Sequence, residues 1–169
     1  MGRHMCRLAS KELGFSPGAV AESRTFVATT LRRWGLDELV MDAVLLTSEL
    51  VTNALIHART EVQVAVAVAD GSAEIGITDG APGVPEQRTA SYSSEGGRGL
   101  RLVDAVAQEW GVANVGSGKQ VWFRLDIGEN WPYRSSCPCG GEDLDRVRLD
   151  SGRWAVPAAG PWDEDDSPS

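Results

Sequence analysis

Metal-binding side chains are scarce in this sequence. Its 169 residues include three cysteines and two histidines, and His4 belongs to residues 1–4, which we interpret as an expression-vector remnant. A tetrahedral zinc site needs four such ligands with suitable spacing, so the pair Cys137 and Cys139 makes a poor zinc motif. We therefore interpret the cysteines as free thiols of a reducing compartment.

Long apolar runs and a surplus of positive charge are also missing. No uninterrupted apolar segment approaches the roughly 20 residues that cross a bilayer, and no signal-peptide core is present. We therefore expect a cytoplasmic protein that does not act at a membrane. The net charge of −8 opposes direct binding to nucleic acid, because a basic surface is needed to neutralise phosphates. Any effect on transcription should then pass through a protein partner.

The apolar residues that are present suffice for one hydrophobic core. They make up 42% of a chain of 169 residues, which corresponds to one domain with a tail. From residue 129 the composition changes to proline, glycine and charge, and it ends in the acidic run 163–166. The segment 129–169 nevertheless holds half of the six tryptophans. We expect it to be either anchored by these tryptophans or disordered.

Hydrophobic periodicity predicts helices and strands in a defined order. Ser16 and Pro17 suit a helix start, and Asp37 suits the N-cap of a second helix. Alternating apolar residues on either side of glycine-containing turns indicate two hairpins. The predicted elements are a strand near 13–15, helices at 17–34, 37–58 and 98–107, and strands at 62–68, 73–78, 110–112 and 121–125. This order predicts an α+β fold, a two-layer sandwich in which a mostly antiparallel, mixed sheet carries helices on one face.

A carboxylate and an amide lie four residues apart in the second predicted helix. Residues i and i+4 share a helix face, so Glu49 and Asn53 point in the same direction. Apolar residues flank both over several turns, which places part of this pair near the core. The carboxylate could accept a proton or orient a water, and the amide oxygen could bind Mg²⁺. The alternative is a surface pair on an amphipathic helix, because helices often carry two polar residues at this spacing.

Two glycine-containing segments downstream have the chemistry of a nucleotide site. Asp79 ends a predicted strand and precedes a turn over 80–83, whose glycines let a flat ligand approach the backbone. Its carboxylate could accept a hydrogen bond from an exocyclic amine. A glycine-rich segment over 96–99 opens a helix that has Leu100 on its inner side, and exposed N–H groups beside a cation form an anion site. Each segment taken alone is also typical of an ordinary loop.

Together the three segments resemble the N box and the two glycine boxes of the GHKL (Bergerat-type) ATPases. The boxes are Glu49-x-x-x-Asn53, Asp79-x-x-x-Gly83 and Gly97-Arg98-Gly99-Leu100. More narrowly, the runs SELVTNALIHA, GGRGLRLVDAVAQEWGV and GKQVWFRL are similar to the anti-sigma-factor serine/threonine kinases. The resemblance covers about residues 12–128, nearly a whole domain of that family. It implies a helix-on-sheet sandwich that binds ATP and Mg²⁺ beneath a short lid.

The resemblance implies a role for each residue of the three boxes. Glu49 resembles the catalytic base for the substrate hydroxyl, and Asn53 resembles the Mg²⁺ ligand. Asp79 resembles the acid that reads adenine, and Gly83 resembles the glycine beside the base. Arg98 is either a phosphate contact or a solvated lid arginine. The residues assigned to the phosphate side of the nucleotide are Gly97, Arg98, Gly99 and Leu100.

The resemblance also implies a partner-switching function. Such proteins phosphorylate a serine or threonine of a small anti-sigma antagonist, hold a sigma factor, or do both, and relatives suggest a homodimer. Phosphoryl transfer depends mainly on positioning and on neutralisation of charge by the metal. A histidine-kinase-like fragment ranks behind this interpretation, because we find no dimerisation helix with a phosphoacceptor histidine before the domain.

A second function class stays open beside the kinase. It is a binding module, catalytically weak or inactive, which uses nucleotide only to set its shape and grips a transcriptional regulator. Glu49 favours the kinase, because a scaffold needs no base there. Ala81 and Pro82 replace the middle part of the usual first glycine box, and proline stiffens that loop. Gln120 replaces a hydroxyl often seen near the adenine-reading acid, so both departures are expected to weaken ATP binding and favour the module.

Overall fold

The described part of the chain contains three helices and five strands. The computed structural model describes residues 5–69, 71–80, 97–115, 118–129 and 131. The strands are β1 (Met5–Leu13), β2 (Val62–Ala69), β3 (Ser72–Asp79), β4 (Glu109–Val115) and β5 (Gly118–Asp126). The helices are α1 (Ala19–Arg33), α2 (Val40–His57) and α3 (Gly97–Val106), with a 3₁₀ turn over Asp37–Leu39.

The five strands form one sheet in the order β1-β2-β3-β5-β4. All four neighbouring pairs of these described strands run antiparallel. Helices α1 and α2 contact each other and pack on the first three strands. The predicted α+β arrangement, a mostly antiparallel sheet with helices on one face, is therefore confirmed.

The central strands β2, β3 and β5 line the helix-facing side of the sheet mainly with branched and aromatic apolar side chains. In β2 the alternating valines over 62–68 are all at most 1% exposed, because successive side chains of a strand point to opposite faces. Register places Val64 beside Ile77, and Ile75 beside Phe123. The helices contribute Val27, Leu31, Ala43, Leu46 and Val51 to the same cluster. The hydrophobic core therefore lies between this face and the helices.

The first strand and the start of the second helix differ from the predictions. The strand predicted near 13–15 is instead β1, Met5–Leu13, because pairing with β2 along its length favours the extended conformation. Asp37 does not cap α2. It begins the 3₁₀ turn, and Leu39 stands at the N-cap position without a side-chain hydrogen bond.

A tryptophan that follows the last strand contacts the end of α1. Trp131 is 7% exposed, and its Nε1 donates to the carbonyl oxygen of Trp34 at 3.0 Å. Trp131 is the first of the three tryptophans of segment 129–169. The other two tail tryptophans, and the cysteines Cys137 and Cys139, lie outside the described residues.

Helix α2 with its preceding turn is apolar over an unexpected length. The segment Asp37–His57 has 21 residues and a mean hydropathy of 1.6 over its best window, enough by length and composition to cross a membrane. Its buried residues Ala43, Leu46 and Val51 pack in the core at 0% exposure. The core helix of a soluble protein can be equally long and apolar, so length and hydropathy alone are weak evidence that this segment spans a membrane.

Candidate functional site

Helix α2 carries the predicted carboxylate–amide pair on one face. Glu49 and Asn53 lie in the middle of Val40–His57, and both are partly buried. Leu50 and Ala54, which follow them in sequence, are 3% and 7% exposed and belong to the core. The pair thus lies at the border between the core and solvent, where polar groups are accessible to a ligand yet held by a packed helix.

A hydrogen bond from α1 braces α2 immediately before this pair. Arg24 Nε donates to Ser48 Oγ at 2.6 Å. Ser48 Oγ in turn donates to the carbonyl oxygen of Val44 at 2.7 Å, and the residue is 8% exposed. These two bonds connect the helices one residue before Glu49. Neither Arg24 nor Ser48 is among the predicted site residues, because their contact joins positions 24 residues apart.

Asp79 occupies the predicted place at the end of β3. It shares the helix-facing side of the sheet with Ile75 and Ile77, and it is 4% exposed. Across the strand pair it lies opposite Lys119, whose Nζ is 3.8 Å from Asp79 Oδ2. Helix α2 packs on β3. A buried carboxylate therefore lies on the same side of the sheet as the helix that carries Glu49 and Asn53.

Gly118 allows β5 to approach the end of β3 very closely. A Cβ at this position would lie 1.9 Å from the carbonyl oxygen of Asp79, far inside van der Waals contact. Because the obstructing atom belongs to the backbone, no side-chain rotation could relieve the clash. The backbone at Asp79 can therefore lie this close to β5 only because residue 118 is a glycine. The sequence predicts a glycine-containing turn between the last two strands but not this steric requirement.

The loops that follow α2 and β3 are joined by a side-chain hydrogen bond. Thr60 Oγ1 accepts from the backbone N–H of Gly80 at 2.9 Å. Arg59 has a φ of 53°, the left-handed conformation that reverses the chain after the helix. This hydrogen bond connects Gly80, the residue after Asp79, to the segment that follows α2.

Gln120 does not lie on the side of the sheet predicted for it. Its Nε2 donates to Thr78 Oγ1 at 3.2 Å, and its side chain covers Gly76, where a Cβ would come within 2.7 Å of that nitrogen. Strand alternation puts Gln120 on the face opposite Asp79, so the expectation that it stands near the adenine-reading acid is wrong. Lys119 faces Asp79 instead.

The second glycine box forms the first turn of a helix. Gly97, Arg98 and Gly99 begin α3, and Leu100 is partly buried against the core. N–H groups of a first helical turn have no partner within the helix, which suits an anion. Helix α3 packs on α2 and β4. Gly83 lies outside the described residues, as do Ala81 and Pro82.

The described residues suit Mg²⁺ as a nucleotide-bound ion rather than as a protein-caged one. Within the described ranges no three His, Cys, Asp or Glu side chains cluster in a way that could hold a metal. The amide oxygen of Asn53 is a hard ligand of the kind that Mg²⁺ accepts, and this ion usually keeps several waters and binds substrate phosphates. Asn53 therefore fits a role as one protein ligand to an ion carried by the nucleotide.

Comparison with known proteins gives a family and a fold. The sequence profile of the histidine kinase-like ATPase domain matches residues 14–125, more than half of the chain. The RsbU and RsbW domains of Rv1364c from Mycobacterium tuberculosis share the fold with a TM-score of 0.54 and 20% identity, over 71% of this chain and 32% of that one. The present chain thus spans about a third of that protein's solved chain.

Two histidine kinases give lower structural similarity. The histidine kinase domain of the blue-light activated histidine kinase from Erythrobacter litoralis has a TM-score of 0.45 and 22% identity, over 68% of this chain and 62% of that one. Histidine kinase AdeS from Acinetobacter baumannii has a TM-score of 0.45 and 18% identity, over 73% of this chain and 70% of that one. No curated protein matches the sequence significantly.

Proposed function

The chain belongs to the family of histidine kinase-like ATPase domains, as its three boxes predicted, and from this premise we propose that it is a regulatory serine/threonine kinase that binds Mg·ATP beside α2. One observation carries the proposal. Glu49 and Asn53 share a partly buried helix face, and the buried Asp79 lies on the same side of the sheet. The residues proposed to read adenine (Asp79), to bind the metal ion (Asn53) and to accept the proton (Glu49) thus all lie on the helix-facing side of the sheet.

The nucleotide would be bound from its base to its phosphates by three elements. Asp79 would accept a hydrogen bond from the 6-amino group of adenine, because its carboxylate is buried at the end of β3. Asn53 would bind the Mg²⁺ that accompanies the phosphates, and this ion would neutralise charge on the transferred group. The N-terminus of α3, with Gly97 and Gly99, would hold phosphate oxygens.

Glu49 would serve as the general base. It would take the proton from the substrate hydroxyl as that oxygen attacks the γ-phosphorus, and the bond to the bridging oxygen of ADP would break. Bracing of Ser48 by Arg24 would limit motion of the helix that presents the base. Rates of such reactions depend strongly on placement, since positioning supplies much of the lowering of the barrier.

The protein partner proposed for this chain is an anti-sigma antagonist, a sigma factor, or both in turn. The family supports an ATP-binding regulator, and the net charge of −8 opposes a direct nucleic-acid contact. We further propose that the protein acts in the cytoplasm and forms a homodimer. The homodimer derives from the resemblance to anti-sigma-factor kinases, and the cytoplasmic location derives from the sequence expectations given above.

The binding module is now the weaker of the two function classes. One of its two supports, the replacement at Gln120, lies on the sheet face opposite Asp79, so it has no direct contact with the proposed base pocket. The other support, Ala81 and Pro82, lies outside the described residues. Transfer of radiolabelled phosphate to a serine or threonine of a candidate antagonist would decide for the kinase, and binding without transfer would decide for the module.

Calorimetric titration with Mg·ATP tests the nucleotide site. We expect the full chain to bind, and Asn53→Ala and Asp79→Asn to weaken binding by about tenfold or more, because each loses a hydrogen bond or ligand to a charged or polar group. The matched control for Asp79→Asn is Asp42→Asn, at an exposed position in the first turn of α2. Absence of binding at millimolar nucleotide, or an equal loss in the control, would refute the proposal.

A further inference from the structure

Lys119 is a charged residue on an otherwise apolar side of β5. On the helix-facing side this strand carries Val121, Phe123 and Leu125, of which Phe123 and Leu125 are 0% and 4% exposed. Strand alternation places Lys119 in the same row, one position after Gly118. The apolar side chains of this row offer its ammonium group no hydrogen-bond acceptor.

The geometry joins this lysine to the predicted base-reading acid. Lys119 and Asp79 are directly opposite in the β3–β5 register, and Nζ lies 3.8 Å from Oδ2. The carboxylate side chain is 3% exposed, whereas the lysine side chain is 31% exposed. The two charges attract each other, yet 3.8 Å exceeds a hydrogen-bond length. The ammonium group therefore lies beside the buried acid, on its more accessible side.

An acceptor and a donor side by side match the hydrogen-bonding edge of adenine. That edge presents the 6-amino group, which donates, next to the ring nitrogen N1, which accepts. A carboxylate has only acceptor atoms and an ammonium only donor N–H groups. Hydrogen bonds from a charged donor are also stronger than neutral ones. In guanine the order along the edge is reversed, because O6 accepts and N1–H donates.

Resting on the ATP site proposed above, we infer that Lys119 is a second base-reading residue, which donates a hydrogen bond to adenine N1 while Asp79 accepts one from the 6-amino group. Adenine is thereby recognised at two adjacent atoms by two side chains that face each other across β3 and β5. The part of the affinity for ATP that depends on adenine N1 should therefore come from Lys119.

Titration of the full chain with Mg·ATP and with Mg·1-deaza-ATP, in which a C–H replaces N1, tests this inference. Lys119→Met should weaken ATP binding about tenfold, the usual range for one hydrogen bond to a charged group. It should leave 1-deaza-ATP binding unchanged, because that nucleotide cannot accept from the ammonium. Lys119→Arg should recover part of the loss for ATP, since it restores a charged donor.

A matched control exists on β1. Lys11 pairs with Glu22 at 3.9 Å, with both side chains about half exposed, so Lys11→Met removes a similar ion pair away from the site. It should bind both nucleotides like the unmodified protein. Retained binding of 1-deaza-ATP by Lys119→Met also shows that the variant keeps its fold and pocket.

Three outcomes would overturn the inference, and the first two of them would leave the proposed ATP site intact. They are unchanged or tighter ATP binding by Lys119→Met, equal losses for ATP and 1-deaza-ATP, and stronger binding of GTP than of ATP by the unmodified protein. Equal losses for ATP and 1-deaza-ATP would show that the lysine acts through its charge in general. Stronger binding of GTP would show that the pocket recognises the opposite order of donor and acceptor. Failure of the unmodified chain and of Lys11→Met to bind either nucleotide would instead refute the proposed function, and the inference with it.

Discussion

The two faces of the sheet at β3 and β5 use polar residues in different ways. On the face away from the core cluster, Arg124 Nη2 donates to Glu74 Oε2 at 3.0 Å, and the guanidinium also pairs with Glu109 and lies 5.5 Å from the Trp122 ring centroid. These groups bond one another closely. On the helix-facing side the Lys119–Asp79 pair stays at 3.8 Å, longer than a hydrogen bond.

The two sets also differ in position, since only the Lys119–Asp79 pair lies on the helix-facing side, where the nucleotide is proposed to bind. Closely bonded polar groups on one face stabilise the sheet, because buried polar atoms cost free energy unless they are paired. The looser pair lies at the end of β3, on the same side as α2. Substitutions on the two faces should therefore separate effects on nucleotide binding from effects on stability.

The largest effect is expected on the pocket side at Glu49. Glu49→Gln should lower the rate of phosphate transfer to an antagonist at least about 100-fold, because the amide cannot accept the hydroxyl proton. The affinity for Mg·ATP should stay within about twofold, since the base contacts the hydroxyl rather than the nucleotide. Radiolabel transfer and calorimetry measure the two quantities. Glu38→Gln, exposed in the turn before α2, is the control, and an unchanged transfer rate would exclude Glu49 as the base.

The next largest effect is expected at Gly118, where the pocket side meets the backbone of β3. Gly118→Ala should lower the free energy of unfolding by about 3 kcal/mol, the upper range for overpacking, because its Cβ would lie 1.9 Å from the Asp79 carbonyl oxygen. Displacement of Asp79 should also weaken ATP binding. Denaturant unfolding and calorimetry measure both effects.

Gly14 supplies the control for that substitution. A Cβ there would meet nothing within 4 Å, so Gly14→Ala should change the unfolding free energy by less than about 1 kcal/mol. Similar losses in both variants would show that the clash at position 118 relaxes without cost and that Gly118 does not position Asp79.

The smallest effect is expected on the opposite face at Gln120. Gln120→Thr should cost about 1 kcal/mol of unfolding free energy through loss of the hydrogen bond to Thr78. Binding of Mg·ATP should remain unchanged within about twofold, because the side chain points away from Asp79. Tighter ATP binding by this variant would contradict the difference between the two faces and restore the original expectation for this position.

Most of the local architecture was predictable from the sequence. The alternating valines of β2 and the helical spacing around Leu46 and Leu50 repeat with the period of the element itself, so neighbours along the chain suffice to predict them. Predictions failed where pairing with a distant segment decided the outcome. The length of β1 follows from its register with β2. At Asp37 the difference is local, because a 3₁₀ turn that begins at this residue precedes α2.

The sequence by itself determined the family, the order of the elements and the shared helix face of Glu49 and Asn53, because short motifs and periodic patterns along the chain carry each of them. Only the tertiary structure decided which of Lys119 and Gln120 faces Asp79, why position 118 requires glycine, and which side chain of α1 braces Ser48. The physical reason is that a strand's facing depends on its register with another strand, and a one-residue shift would exchange its two faces.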